Sequence, residues 1–516
     1  MIKYIIVIIS ISLLNSSDNR CLIIPEKTRT RPDLETFYLS SSGHFKIHYN
    51  TEGSHSPDQT DLNNNQVPDY VEEVAIIAED SRHTLINVMG YLPEPDDGDG
   101  IYDIYIVNQS AWGWNVPESS ITGASYVKID NDYLGNTFNS NYCFDAIDKM
   151  KISVAHEFFH AIQRAYRPNY NTDHDFLLEM SSMWFEDLMV PDCNDYLSFT
   201  NYSSGIFKNP DQKFEGSESS NSASFGYSMA LFGHYLSRIV DTEGSEDQKN
   251  SNIIRRIWED YQTESNQIDV NAAGQSIIDV ISDYENSFSD VWTDFIASNM
   301  LSGTYNYFNE DIYYYSDQQY MEPLSFSYPS TSIGVNFQDI LSLSISPYSA
   351  NIVKLNSLEN QLININYSYD KCLSEKISVI GSNDLITTLK YSNNNPIVLN
   401  ESDLMYFIST AKSIECDSYN VEILSTSIPS DIISVYPNPI YYSGHISIAI
   451  ESYSNIDDVL LKVYSINGKL ILEQKNETFS SPFDFNISKA LKASGVYLLS
   501  VTYNQKESFY KFAYIK

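Results

Sequence analysis

The sequence predicts an α+β domain followed by two all-β sandwich domains. Three patterns carry this expectation. A succession of helical runs fills residues 145 to 300, behind a few short strand-like stretches. From about Ser327 short alternating runs (ILSLSI, NIVKL, LININYSY, KISVI, MYFIST, YNVEIL) replace the helices, which is the pattern of a β-sandwich. A polar stretch, STSIPSD, then separates this region from a last β-rich segment. The expected divisions are residues 44–326, 327–424 and 432–516, with 425–431 as linker. A chain of 516 residues accommodates roughly three domains.

Residues 1–17 (MIKYIIVIISISLLNSS) hold Lys3, an apolar core from Ile5 to Leu14 and a small polar end. This is the form of a secretory signal peptide, and its apolar run is short for a membrane span. No later stretch reaches spanning length, so no transmembrane helix is expected. Residues 18–43 read as a poorly ordered lead-in or short pro-segment. FKIHY (45–49) alternates like a strand.

In DLNNNQVPDYVEEV, the side chains of Asp61, Asn63, Asn65, Asp69 and Glu72 and the Val67 carbonyl fall at positions 1, 3, 5, 9, 12 and 7 of a loop. Those are the oxygen-ligand positions of a calcium-binding EF-hand loop. Gln66 stands where such a loop has Gly. An Asn-rich turn capping the next helix would look the same. Asp97 and Asp99 precede a strand, Tyr102 to Val107, from which Asp103 projects. These three acids form a second candidate calcium group, and they are also ordinary turn formers. ASYVKID (124–130) reads as a strand.

The stretch with most chemistry is VAHEFFHAIQRAYRPNYNTDHDFLLEMSSMWFEDLM, Val154 to Met189. His156 and His160 are four apart, so on a helix they share a face and both imidazoles can meet one ion. Glu157 projects beside that pair, where it can hold a water at the same ion. The H-E-x-x-H spacing is that of zinc peptidases. Asp145 or Asp148 would cap the helix and Pro168 would stop it. Ile152, Val154, Ala155, Phe158, Phe159 and Ile162 surround the pair with apolar side chains, so the helix is expected to be buried.

Zinc needs a third protein ligand and an open position for water. A second helical run, Phe176 to Met189, carries Glu179, nineteen positions after His160. Glu186 lies seven residues further on the same face. Asp173, His174 and Asp175 sit at the mouth of this run as other possible ligands. A Glu on a second helix at this distance resembles the gluzincin metallopeptidases, the thermolysin-like group of H-E-x-x-H enzymes. The metzincin pattern fits less well, since Gln163 and Tyr166 stand where it would have Gly and His.

The gluzincin resemblance covers roughly residues 40 to 325 and implies a zincin-like metallopeptidase domain. It implies zinc held by His156, His160 and Glu179, with Glu157 as general base. Glu186 is then either the fallback ligand or an acid orienting a histidine. Many gluzincins carry an acid four residues after the ligand Glu; here that position is Met183. The resemblance also implies a sheet strand lying along the cleft to pair with extended substrate, and Ala124 to Asp130 is the candidate. Helical runs at 225–241, 253–261, 272–284 and 291–300 match the lower, helical part of such a domain. Within the first of them, Tyr227 or His234 could donate a hydrogen bond to an oxyanion, and both also suit a packed core.

The last segment contains Tyr436-Pro437-Asn438-Pro439, then VYSINGKLI (463–471), then Ser494-Gly495-Val496-Tyr497-Leu498-Leu499, then KFAYIK (511–516). Four sub-motifs in this order resemble the type A C-terminal sorting domain of the type IX secretion system. The resemblance implies passage across the outer membrane of a Gram-negative cell, with type IX machinery as partner and release or surface attachment of the remainder.

The chain has 31 basic and 68 acidic residues, a formal charge of −37. This argues against nucleic acid and against anionic lipid as partners, and it favours divalent cations. Its 40 tyrosines suit exposed β-rich extracellular domains. Five cysteines in an exported chain allow two disulfides with one left over. The proposed pairs are Cys143 with Cys193 and Cys372 with Cys416, leaving Cys21; other pairings stay open.

These readings together describe a secreted zinc endopeptidase acting on proteins or peptides, with Zn²⁺ and Ca²⁺ as ions. The rival is a secreted adhesin or glycan-binding protein with an inactive zincin domain. The intact Glu157 speaks against a relic, which has no need of a base. A metal-dependent hydrolase of non-peptide substrates would share the same residues.

Overall fold

The structure is a computed structural model. It describes residues 30–516 apart from 137, 139, 170–173, 217–221, 301, 303–316, 318–319, 322–329, 345–347, 368–372, 381–385, 390–396, 413–417, 428–431, 442–443, 452–455, 457, 477–481 and 505. The signal-peptide reading, residues 18–29 of the lead-in, Cys21, Asp173, Cys372 and Cys416 therefore lie outside the described residues.

The first half begins with a five-stranded sheet. Its strands are β1 (Thr36–Leu39), β2 (Phe45–Tyr49), β3 (Tyr102–Val107), β4 (Gly113–Pro117) and β5 (Ser125–Asp130), in the order β1-β2-β3-β5-β4. β2, β3 and β5 run parallel, while β1 and β4 run antiparallel to their neighbours. The strand read as 124–130 is thus internal, and the edge is β4. This corrects the expectation that Ala124 to Asp130 forms the cleft edge. Side chains alternate across a strand, and both faces are covered here. Ile104, Ile106, Val127 and Ile129 join the helical core, while Tyr105, Val107, Tyr126 and Val116 form a separate cluster on the other face.

Part of the lead-in closes that second face. Leu34 packs on the cluster. Arg31 makes a two-pronged contact with Glu118, 2.7 Å on each arm, and also reaches Asp97 and Asp103. Residues 30–39 are therefore docked on the sheet and include β1, rather than forming a loose lead-in.

Helix α1 (Asp69–Arg82) continues into a wider turn at His83–Val88. Helix α2 (Ala146–Tyr166) starts at Asp145, whose carboxylate accepts from the Ile147 and Asp148 amides. It packs on β4 and β5. Helix α3 (Asp175–Met189) packs on α2, and almost every residue of it is buried. The run read as one helix at 225–241 is divided into α4 (Ser222–Ser228) and α5 (Ala230–Tyr235), with a wider turn at Leu236–Val240. The break follows Ser228, whose hydroxyl donates to the Phe225 carbonyl and accepts from the Ile206 amide. Such side-chain bonding to backbone competes with the helix ladder. Helices α6 (Ile253–Tyr261), α7 (Ala272–Asp283) and α8 (Phe288–Asn299) complete this half.

The next region is a sandwich. One sheet holds β6 (Ser330–Ile333), β8 (Ala350–Ser357), β10 (Leu373–Ile380), β11 (Ile386–Leu389) and β13 (Leu404–Ala411). The other holds β7 (Gln338–Ser344), β9 (Gln361–Tyr367), β12 (Ile397–Leu399) and β14 (Ser418–Ser427). Helix α8 docks on the first sheet through Thr293 to Thr410 (2.9 Å), Lys376 to Asp294 (2.8 Å) and Ser374 to Asp290 (2.7 Å). Ala350, Ile352, Tyr406 and Ile408 of the sandwich belong to the helical core. β14 runs to Ser427, so it takes up the first part of the expected linker.

The last region is a second sandwich with its own core. β15 (Ile432–Tyr436), β17 (His445–Glu451) and β20 (Phe483–Asn486) form one sheet. β16 (Ile440–Tyr441), β18 (Val459–Ser465), β19 (Leu470–Asn476), β21 (Gly495–Tyr503) and β22 (Lys506–Ile515) form the other. Asn438 accepts from the Ala513 amide and donates to the Lys511 carbonyl, tying the YPNP turn to β22. Among the described residues, no helix is long and apolar enough to cross a membrane.

Cys143 and Cys193 form a disulfide that joins the approach to α2 with the exit from α3. With the two cysteines 50 positions apart, chain entropy assigns the bond about 4 kcal/mol. Replacing both by Ser should lower the unfolding free energy by an amount of that order, read from the urea midpoint and slope together, with the slope changed by a looser unfolded state.

Candidate metal centre

Helices α2 and α3 bring His156, His160 and Glu179 together, with one ligand atom from each lying within 4.8 Å of the others. The two imidazoles are one turn apart, their ring centres 4.8 Å from one another and their planes nearly perpendicular. Glu179 Oε2 lies 3.1 Å from His156 Nε2 and 3.6 Å from His160 Nε2. Ligand atoms around a tetrahedral zinc ion stand about 3.4 Å apart, from bond lengths near 2.0–2.1 Å. The residues present therefore fit such an ion.

The hydrogen bonds behind the imidazoles set which nitrogen faces inward. His156 Nδ1 lies 2.8 Å from Glu186 Oε2. An ionised carboxylate only accepts, so Nδ1 carries the proton and Nε2 offers its lone pair. His160 Nδ1 lies 2.8 Å from Gln163 Oε1. The Gln163 amide nitrogen is committed to donating to the Leu178 carbonyl and the Ser181 and Ser182 hydroxyls, at 2.9–3.1 Å. Its oxygen is thus the acceptor, and His160 presents Nε2 in the same way. Partners of this kind fix ring orientation and tautomer in metal sites. Glu186 occupies the orienting position rather than the ligand position.

The site is nearly dry: His156 is 0% exposed, Glu157 1%, Glu179 2% and His160 7%. Burial works to raise the Glu179 carboxyl. The facing imidazoles, taken as protonated, outweigh it and lower Glu179 to about 2, the same direction that a cation held between neutral imidazoles would impose. Two glycines make the packing possible. A Cβ on Gly226 of α4 would stand 2.7 Å from Glu179 Cβ, and one on Gly113 of β4 would stand 2.6 Å from Glu157 Cγ. Real Cβ atoms do not come so close, so α4 and β4 lie against these two acids only because those positions lack a side chain.

The other candidates divide. The Tyr227 ring centre is 6.4 Å from that of His156 and 4.8 Å from that of Phe199, so it borders the centre. His234 does not join it. Its Nδ1 meets Gln248 Oε1 at 2.9 Å, its Nε2 lies 3.5 Å from Asp187, and its ring packs on Tyr196. Burial lowers His234 to about 4, so it is neutral at pH 7 and serves the core. His174 contacts the Tyr261 hydroxyl and Asn266, away from the cluster.

In the 61–72 loop, Gln66 adopts φ +72°, the left-handed conformation that the sixth position of a calcium loop requires, despite its side chain. The Asp61 carboxylate accepts from the Asn65 and Gln66 amides, and Asn63 and Asn65 donate to Glu72 at 2.9 and 2.7 Å. Asp69 accepts from the Leu62 amide. The side chains cross-link the turn. The acids of the second candidate calcium group are not gathered around a shared gap. Asp97 and Asp103 pair with Arg31, Asp103 also with His48 (2.7 Å), and Asp99 with Lys46 (3.0 Å). Protein cations neutralise them, which corrects that expectation. A further group, Asp260 of α6, Glu264 just beyond that helix and Asp279 of α7, has carboxylate oxygens within 4.8 Å of one another and is partly exposed.

Gln163, Gly113, Gly226 and Asn115 were not singled out from the sequence. Gln163 had a signal: it lies three residues after His160 on the same helix, within reach of its ring. The glycines and Asn115 act across elements and left none.

The C-terminal residues 434–516 match the family described as the secretion system C-terminal sorting domain. The chain therefore ends in a type IX sorting domain, which directs it to the cell surface or beyond and to the type IX machinery. No curated protein matches the chain. Among solved structures, it is similar to the periplasmic inhibitor of g-type lysozyme from Salmonella Typhimurium at 14% identity and TM-score 0.15, over 18% of this chain and 97% of that one. It is similar to dimeric latent PorU from Porphyromonas gingivalis at 14% identity and TM-score 0.14, over 37% and 19%. A Faecalibacterium prausnitzii β-glucuronidase gives 8% identity and TM-score 0.13, over 32% and 36%. Similarities this slight carry no argument about the fold or the function.

Two outcomes are expected. Glu186→Gln or Gln163→Leu should weaken zinc binding roughly 10–100-fold in competition with a chromophoric chelator. Asp187 is buried, and burial together with the charges of Asp317 and Glu186 raises its carboxyl well above the usual range. Its contribution to stability is whole below the unfolded carboxyl value and is lost as pH rises through the raised folded value. Asp187→Asn, which imitates the protonated form, should raise the melting temperature at pH 7 and leave it unchanged at pH 3.

Proposed function

We propose that the chain is a secreted zinc-dependent endopeptidase of the gluzincin type, built on a zincin-like α+β domain and exported from a Gram-negative cell. The observation that carries this is the meeting of His156, His160 and Glu179 with Glu157 packed directly beneath an edge strand. His156, His160 and Glu179 would hold the ion. Zinc in such a site lowers the pKa of a water towards neutrality and polarises a carbonyl.

The chain's own residues supply the rest. Among the described residues no strand pairs with the outer edge of β4, which closes the sheet beyond β5. An extended peptide can add to that edge by backbone hydrogen bonds, which bind it without regard to sequence. Its scissile bond would then pass over Glu157, beside Gly113. Glu157 accepts the proton of the attacking water and returns it to the leaving amine. Tyr227, whose ring borders the centre, would donate to the developing oxyanion. The dry surroundings strengthen each of these electrostatic contacts.

Residues 30–427 should be prepared beside the Glu157→Gln variant and assayed for zinc and for cleavage of casein or gelatin. About one zinc per chain in both is expected, with the variant slower by at least 10²-fold. Zinc in both without cleavage would move the reading to a non-peptide substrate. No zinc in either would sink it.

A further inference from the structure

We propose that Asn115 is a positioning residue for the base: it fixes Glu157 against the edge strand that would receive substrate. The inference rests on the reading of Glu157 as base. Asn115 sits in the middle of β4 and is 5% exposed. Its Oδ1 accepts from Arg164 Nε at 2.7 Å. A guanidinium only donates, so the other amide atom is the nitrogen. That nitrogen faces the Glu157 carbonyl oxygen at 3.2 Å, the Tyr102 hydroxyl at 3.1 Å and the Ser125 hydroxyl at 3.2 Å.

Gly113 and Asn115 project from the same side of β4, towards α2. Gly113 lies over the Glu157 side chain; a Cβ there would come within 2.9 Å of Oε1. Asn115 holds the Glu157 backbone two residues on. The edge strand thus grips this one residue at both its carboxylate and its carbonyl. Elsewhere the sheet meets the helices largely through apolar side chains such as Ile104 and Val127, with a buried polar contact from the Tyr70 hydroxyl of α1 to the Asp130 carbonyl of β5. Apolar contact would also serve stability at this point, because a buried polar group adds little net stability. What the amide adds is direction. It sets the height of the substrate strand above the base, where a displacement of about 1 Å can cost 10²-fold in rate.

Asn115→Asp tests this with little change of shape. The aspartate still accepts from Arg164, and Tyr102 and Ser125 can donate to it. Only the Glu157 carbonyl loses its donor and faces an oxygen. Tyr102→Phe is the control, since it alters the same network without touching Glu157. Expected for Asn115→Asp are native zinc content, kcat reduced on the order of 10²-fold and KM within about threefold. Amide hydrogen exchange should quicken over residues 113–117 and 156–161. Tyr102→Phe should keep native kcat. Asn115→Ser, which cannot span the gap, is the second variant should the aspartate fail to fold, with the same result expected.

Native kcat in Asn115→Asp or Asn115→Ser, or an equal loss in Tyr102→Phe, would overturn the proposal. If the native chain binds zinc and cleaves no peptide, the peptidase reading fails by itself. The hydrogen-exchange comparison then decides the coupling: quickened exchange in Asn115→Asp alone upholds it, and equal exchange in the two variants refutes it.

Discussion

Two imidazoles and a carboxylate lie in a core almost without water, and that core holds only if each polar atom finds a partner. An unpartnered buried polar group costs on the order of 1–3 kcal/mol, and a lone buried charge costs more. The surrounding sequence answers this demand in two chains of contacts. From His160 one runs through Gln163 to Ser181, and the Trp258 indole of α6 donates to that serine at 3.2 Å. From His156 the other reaches Glu186. Next to it in sequence, Asp187 faces His234, which meets Gln248, and Gln248 in turn accepts from Trp184 and Ser237. The Trp258 indole is thus oriented by hydrogen bonds that begin at the centre, and Trp184 and His234 by a buried network that lies beside it. Helices α3, α5 and α6 are located by polar contacts as well as by apolar packing.

The sheet answers a different constraint. Parallel strands need cover on both faces, and every residue of β3 is buried. The helices provide one cover. The other is the short segment from Thr30 to Leu34, held by Arg31 across Asp97, Asp103 and Glu118. Glu118 directly follows β4, so this clamp lies at the end of the edge strand. The acids near residue 100 look like an ion site in the sequence because their counter-charge lies some 70 positions away. An arginine does there what a metal ion could have done.

This difference in range explains what could be read from the sequence. The H-E-x-x-H pair, its Asp145 cap and the spans of α2 and α3 depend on contacts within a few turns, and the helical period displays them. The partnership of Cys143 with Cys193 was legible because both flank the same unit. β4 was not legible. Gly113-Trp114-Asn115-Val116-Pro117 is short, opens with the least strand-like residue and closes with one that cannot donate. Proline is tolerated on a sheet edge, which is where this strand lies. The order of β4 and β5 is likewise a tertiary fact, since an alternating stretch reads the same inside a sheet or at its rim. The role of Glu186 stood open between ligand and orienting acid. Which nitrogen of His156 it meets depends on how α3 is turned against α2, and no local pattern encodes that turn.

The two β regions differ in how they belong to the rest. The core of the final sandwich, from Ile440 to Tyr514, contains no residue of the other cores among those described. The first sandwich shares Ala350, Ile352, Tyr406 and Ile408 with the helical half, and polar contacts from α8 surround that seam. Phe214, beside the same seam, packs its ring at a tilt 4.3 Å from that of Phe288, and its amide donates to the Tyr348 carbonyl. Cutting the chain between the two sandwiches therefore exposes little apolar surface, whereas cutting before the first would lay bare the face of α8. The sorting domain is physically separable, as an address that does its work once should be. The middle sandwich shares core residues with the half that carries the candidate metal centre.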